Sequence, residues 1–210
     1  LPRIAAGELT LALALEESHH HNPWQIATRV EQQGEQLVIN GCKTFVLDGH
    51  SADELLVVCR TAGEADSRDG ISLVRVPRDA AGVSVQRTVM ADSRNAANVS
   101  FDGVSVPASN ALGALGEAAD ALEATLDRGR VALAAEMLGS AEEVFRRTVD
   151  YLKERVQFGV PIGSFQALQH RAAIIQTELE LARSVVMQAL STVDEQPQQL
   201  PLLASLAKAQ

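Results

Sequence analysis

Two hydrophobic periods divide the chain. Up to residue 109, apolar positions alternate or come in short runs bounded by turn residues; from about residue 116 they recur at helical spacing. In the first part, "ELLVVCR" (54–60) reads as a short buried strand, and "GISLVRVP" (70–77) alternates until Pro77 stops it. "GVSVQRTV" (82–89) and "ANVSFDGVSVP" (97–107) continue the pattern. "EQLVINGCKTFVLDG" holds two strand-like runs joined by Asn40-Gly41, a hairpin signal because both residues tolerate the positive φ of a tight turn. Asp102-Gly103 reads as a second turn, and "EADSRDG" (64–70) as an exposed loop. Several short strands at this spacing predict a small β-barrel or sandwich.

The second part predicts long helices. Leu122, Leu126, Leu133, Met137, Val144, Phe145, Val149 and Leu152 mark the apolar face of the first. Gly129 and Gly139 lie inside it, where each costs about 1 kcal/mol against Ala, so close helix packing is their expected reason. A second helix is expected from Ser164, as N-cap, to Val193. "DEQPQQLP" (194–201) breaks it, and a third starts near Leu202. A β module followed by long antiparallel helices is α+β in class.

Composition narrows the function. The 210 residues carry a net charge of −9, and Lys and Arg form no long basic stripe. That argues against a general nucleic-acid binder, which needs a basic surface. The longest clean apolar run, "LTLALAL" (9–15), falls far short of the ~20 residues that cross a bilayer. No signal-peptide pattern is present, and a cytoplasmic location is expected. Cys42 and Cys59 match no metal or redox spacing and read as two small hydrophobes in a reducing compartment. The chain does not begin with Met and ends inside a helical pattern, as a piece of a longer protein would.

Few residues suggest chemistry. "SHHHNP" (18–23) looks like a metal site, but adjacent His residues cannot all point one way, and no Cys or Glu–x–x–His pattern completes a set. It is read as a polar loop, with no metal. Glu16 and Glu17 are adjacent, so on a strand they would take opposite faces rather than act as a catalytic pair. Glu136, in "ALAAEML", is read as a helix-edge Glu or the partner of a nearby Arg. The helical run breaks at "ERVQFGVPIGSFQALQ" (154–169), gathering Arg155, Gln157, Phe158 and Phe165 at a corner. A forked cation and an amide suit phosphate oxygens, and the rings offer apolar faces, so the corner could hold a nucleotide. A structural cap pairing Arg155 with Glu154 or Asp150 fits the residues equally well.

Here the sequence resembles the acyl-CoA dehydrogenase superfamily, flavoproteins that oxidise acyl-CoA thioesters. "RVALAAEMLGSAEEVFRRTVDYLKERVQFGVPIGSFQALQHRAA" is similar to the start of that family's C-terminal helical domain, with its R-x-Q-F-G-x-P-I-x-x-F-Q corner. "LVINGCKTFVLDG" resembles its middle-domain N-G-x-K and flavin-contacting strand, and "FDGVSVPASNALG" the strand and linker that close that domain. "LASLAKAQ" resembles the start of a later helix. The resemblance implies a middle β-barrel domain over 1–109 and an incomplete, antiparallel helical-bundle domain over 110–210, with the family's N-terminal domain and the end of its C-terminal domain lying outside the sequence. It implies FAD as cofactor, an acyl-CoA substrate, an electron-transfer flavoprotein as acceptor, and a homo- or hetero-oligomer, commonly a dimer of dimers.

Residue by residue, the resemblance implies that Arg155 and Gln157 reach the FAD pyrophosphate of a neighbouring subunit. Phe158, Ile162, Phe165 and Leu168 would line its adenosine portion. Phe45 would pack on the flavin with Val46 and Leu47 continuing the strand, and the backbone at Leu15 and Glu16 would meet the flavin's pyrimidine edge. Two departures stand out. Leu47 replaces a Ser or Thr whose hydroxyl bonds flavin N5, and "EESHHHNP" replaces the T-E-P-x-A-G-S-D loop. One of the family's two positions for the catalytic Glu falls on Gly129, just before Arg130; the other lies beyond residue 210, so this chain supplies no nameable base. Three activities therefore stay open: α,β-desaturation of an acyl-CoA, a non-catalytic partner-subunit role, and a flavin-dependent monooxygenase or oxidase.

Overall fold

The structure is a computed structural model that describes residues 1–210. It separates into two compact units, Leu1–Ala121 and Leu122–Gln210. After a short helix α1 (Pro2–Ala5), the first unit is built on strands β1 (Leu11–Ala14), β2 (Arg29–Gln33), β3 (Gln36–Leu47), β4 (Glu54–Arg60), β5 (Ile71–Pro77), β6 (Val83–Val89) and β7 (Asn95–Pro107). They form one seven-stranded sheet in the order β1-β4-β2-β3-β7-β6, with β5 also on β4. The path is open and curled, a half-barrel. Its apolar core includes Leu37, Ile39, Val46, Leu55, Val57, Val74, Val99, Phe101 and Val104. Their alternation with polar positions made these strands predictable.

The two predicted turns are not turns. Asn40-Gly41 lies inside β3 and Asp102-Gly103 inside β7. The β3–β7 register shifts between Ile39 and Gly41, so that Asn40 alone faces Asp102 and Gly103 in a β-bulge. Asn40 Oδ1 accepts the Gly103 N–H at 2.8 Å, replacing a ladder bond that the bulge removes. Gly41 sits at φ 147°, and a Cβ on it would come within 2.5 Å of Thr28 Oγ1. The glycines therefore serve a bend and a close approach. The actual hairpin joins β2 to β3 through Gly34-Glu35, with Gly34 at φ 65° as a II′ turn requires.

The second unit carries most of α2 (Ala119–Glu154), then the strands β8 (Val156–Gln157) and β9 (Val160–Pro161), α3 (Gln166–Glu195) and α4 (Leu200–Ala209). The β8–β9 hairpin turns the chain back, so that Glu142 of α2 meets Arg183 of α3 at 2.9 Å. Val131, Ala134, Val186, Ala189, Leu200, Leu203, Ala204 and Ala207 form this unit's core. Leu133, Met137 and Val144, expected on the buried face of α2, are exposed. A Cβ on Gly129 or Gly139 would meet nothing within 4 Å, so packing inside this chain does not explain them. Ser164 does not cap α3; its hydroxyl donates to the Pro161 carbonyl and Phe165 is the N-cap. No helix is long and apolar enough to cross a membrane.

Candidate functional site

In the first unit the candidate residues gather where β3 leaves regular pairing. Between Lys43 and Val46 its register on β7 shifts again, placing Thr44 and Phe45 opposite the single residue Asn98. Asn98 Oδ1 accepts the Thr44 hydroxyl at 2.8 Å and the Phe45 N–H at 3.4 Å. Phe45 pays for this bulge with φ 51°, a left-handed backbone that costs an aromatic residue about 1–2 kcal/mol. The result is a ring aimed outward and 42 % exposed, followed by Val46 in the core and Leu47 half in solvent.

The end of β1 lies alongside. Thr44 N–H donates to the Glu16 carbonyl at 2.8 Å, and Lys43 Nζ donates to the Leu15 carbonyl at 3.0 Å. Both carbonyls are thus engaged within the chain. Glu16 and Glu17 go to different partners. Glu16 accepts from His21 Nδ1 and from the Asn22 N–H. Glu17 receives Lys43 Nζ at 2.7 Å and the N–H groups of Ala27 and Thr28 at 2.6 and 3.0 Å. Burial works to raise the Glu17 carboxyl, but the Lys43 charge and hydrogen bond and the two N–H donors outweigh it and hold it below 4.5. Burial likewise holds the Lys43 ammonium below its ordinary value despite Glu17.

Two buried cations escaped sequence reasoning. Lys43 is one. Arg60 is the other: its guanidinium donates to the carbonyls of Ile26, Ala62, Ala65, Ser67 and Asp69 and ties the 62–69 loop to the 24–26 segment. No carboxylate takes part, so nothing in charge patterning reveals it. Of the two free thiols, Cys59 is buried, which pushes it up to about 12, whereas Cys42 is exposed and is not a core residue. Glu136 is exposed on α2.

The His run separates into three environments. His21 is held by Glu16, and the Ser18 hydroxyl bridges to His20 by donating to its carbonyl at 2.9 Å. His19 turns back on β3 and meets Phe45 edge-to-face, with ring centroids 6.1 Å apart. No three His, Cys, Asp or Glu side chains stand close enough to hold a metal ion.

In the second unit, the corner proves to be a hairpin arm. Phe158 and Gly159 at its tip have φ 54° and 80°, the pattern of a type I′ turn. Phe158 is 91 % exposed and meets Phe165 edge-to-face at 6.2 Å. Arg155 and Gln157 are exposed as well, while Ile162 and Leu168 are half-buried. Asp150, one of the alternative partners of Arg155, bonds Arg146 instead at 2.9 Å. The Arg155 backbone closes the arm, its N–H on the Tyr151 carbonyl and its carbonyl on the Ile162 N–H.

Both units match known proteins. Residues 12–104 match the model of the acyl-CoA dehydrogenase middle domain, and residues 116–210 that of the acyl-CoA dehydrogenase C-terminal domain. The chain belongs to the acyl-CoA dehydrogenase family. It is 32 % identical to the short/branched chain specific acyl-CoA dehydrogenase of Rattus norvegicus mitochondria, over 92 % of this chain and 45 % of that protein. With an acyl-CoA dehydrogenase of Bacillus subtilis it shares 33 % identity over 90 % of this chain and 51 % of the relative. Among solved structures, butyryl-CoA dehydrogenase from Megasphaera elsdenii superposes with a TM-score of 0.87 at 27 % identity, covering 98 % of this chain and 54 % of that one. The chain thus spans about half the length of these relatives.

Proposed function

We propose that this chain is part of an FAD-dependent acyl-CoA dehydrogenase that introduces an α,β double bond into an acyl-CoA and passes electrons to an electron-transfer flavoprotein. The observation that carries the reading is Phe45, pushed outward by a bulge at a conformational cost and left open beside the end of β1. Strain retained at an exposed aromatic residue is the kind of feature that a ligand explains.

The residues present fit a flavin. Phe45 and Leu47 offer an uncharged, apolar face, and the nearby Glu16 carboxylate is tied back by His21 and Asn22. The backbone at Leu15 and Glu16, whose carbonyls each already accept one hydrogen bond within the chain, would meet the flavin's pyrimidine edge. Val46 is in the core and would contribute only backbone. On the arm, Arg155 and Gln157 present donors suited to the pyrophosphate of a neighbouring subunit's FAD, with Phe158, Ile162, Phe165 and Leu168 as the apolar wall for its adenosine. FAD, when bound, would accept the hydride from the substrate's β-carbon at N5. Leu47 has no hydroxyl to bond N5, so this chain would serve that atom through backbone alone.

A second reading has one observation in its favour: Gly129, at one position where the family carries its Glu, offers no base. On that reading the chain is a partner subunit that lends its arm to another subunit's FAD. The two are separated by supplying the purified protein with FAD and then with an acyl-CoA series. The dehydrogenase reading expects a yellow protein bleached by a substrate acyl-CoA. A protein that stays colourless in FAD but raises flavin retention in a catalytic relative would replace it with the partner reading.

A further inference from the structure

We infer that His19 is a positioning residue that places a titratable positive charge beside the flavin, so that protonation of its imidazole favours the reduced cofactor. The inference rests on the flavin reading of Phe45.

Each His in the run meets a different environment. His21 is committed to Glu16, and the Ser18–His20 turn fixes the loop backbone between them. Only His19 is directed onto β3, where its ring stands at 73° to that of Phe45 with centroids 6.1 Å apart. Phe45 is the ring that the bulge turns outward. A flavin packed on Phe45 would therefore have the His19 imidazole as a second wall.

An imidazole is the side chain whose ordinary pKa, about 6.5, lets it change charge near neutrality. Hydride transfer brings negative charge onto the flavin, and a cation at that edge lowers the energy of the charged form; charge beside the ring is one of the main ways a protein tunes a flavin. Four of the other ionisable groups on these elements are paired. Glu16 and His21 pair with each other, and Lys43 from β3 is buried with Glu17 and the Leu15 carbonyl. His20 is exposed on the same loop, and Asp48 is exposed past the end of β3. Asn98, from β7, faces the bulge but carries no charge.

The test is the midpoint potential of the protein-bound FAD, read by dye-linked titration at about pH 5.5 and about pH 8.5 in wild type, His19→Gln, His20→Gln and His19→Lys. A charge-assisted contact is worth about tenfold in the ratio of reduced to oxidised flavin bound, which is about 30 mV for a two-electron couple. Wild type should lie that far above His19→Gln at the acid pH and coincide with it at the alkaline pH. His20→Gln should track wild type, and His19→Lys, with a permanent charge, should lie above His19→Gln at both. Equal potentials for wild type and His19→Gln at both pH values overturn the role of His19 while leaving the flavin reading intact. A gap that follows His20 instead overturns it too. A protein that retains no FAD in any variant removes the flavin reading, and this inference with it.

Discussion

The ammonium of Lys43 lies 2.7 Å from Glu17 Oε1 and 3.0 Å from the Leu15 carbonyl, although Lys43 is only 1 % exposed. One charge pair thus joins β3 to the end of β1 and, through the N–H groups of Ala27 and Thr28, to the start of β2. Removing one partner strands the other charge in a largely dry site. Lys43→Met should destabilise the protein by about 3–5 kcal/mol in urea unfolding, and Lys43→Met with Glu17→Leu should recover much of that loss. The sign of the pH effect follows from Glu17. Its carboxyl is lower in the folded chain than its ordinary 4.5, so its contribution is present above that value and is lost as the pH falls through the folded one. Acid titration of wild type against Glu17→Gln should show the two stability curves converging below about pH 4.5.

Arg60 gives a different prediction because its partners are carbonyls. Arg60→Met would leave those of Ile26, Ser67 and Asp69 without a donor, while the Ala65 carbonyl keeps the Ile26 N–H. We expect a loss of about 3 kcal/mol or more, and faster proteolytic nicking within 62–69 than elsewhere. Arg60→Lys should restore little, since one ammonium cannot span that set of acceptors.

Gly41 tests the bulge. Its φ of 147° and the approach of Thr28 leave no room for a side chain, so Gly41→Ala should cost about 2 kcal/mol or more by thermal or urea unfolding. Asn40→Ala removes only the bond to the Gly103 N–H and should cost about 1 kcal/mol.

Gly129 and Gly139 should behave in the opposite way. Both are helical and face open space, so Ala at either should raise stability by about 0.5–1 kcal/mol in the isolated chain. An assembly in which Gly129→Ala or Gly139→Ala weakens association would show that a second chain uses the space.

Phe45 separates stability from binding. Phe45→Gly relieves a left-handed aromatic residue and should leave the unfolding free energy within about 1 kcal/mol of wild type or above it. Flavin retention should fall in the same variant. Undiminished retention would count against the site proposed here.

The strands and helices were legible because burial on one face leaves a periodic trace. A local signal misleads where it meets a longer-range demand. Asn40-Gly41 and Asp102-Gly103 are turn residues by composition, but each sits in a long strand and they face one another across the ladder. Phe45 is marked only by family likeness; the bulge that exposes it depends on Asn98, 53 residues away. Lys43 is buried because Leu15 and Glu17 supply acceptors, and Arg60 because Ile26 and the 62–69 loop that follows it do; single-sequence hydropathy counts both as surface residues. The His19–Phe45 contact was equally hidden, since "SHHHNP" does not say which His turns inward.

β1 reaches its place through parallel pairing with β4, and Thr10 bonds Asp53 across 43 residues of chain. Closing so long a segment costs more entropy than forming the β2–β3 hairpin, so local hairpins should form ahead of this pairing. The edge bearing Leu15, Glu16 and the His loop then closes late, as does the β3–β7 ladder, which joins Leu47 to Ala96. A newly made chain would have its local hairpins before it had a place for its ligand, and a ligand arriving there would meet and reinforce contacts that form late.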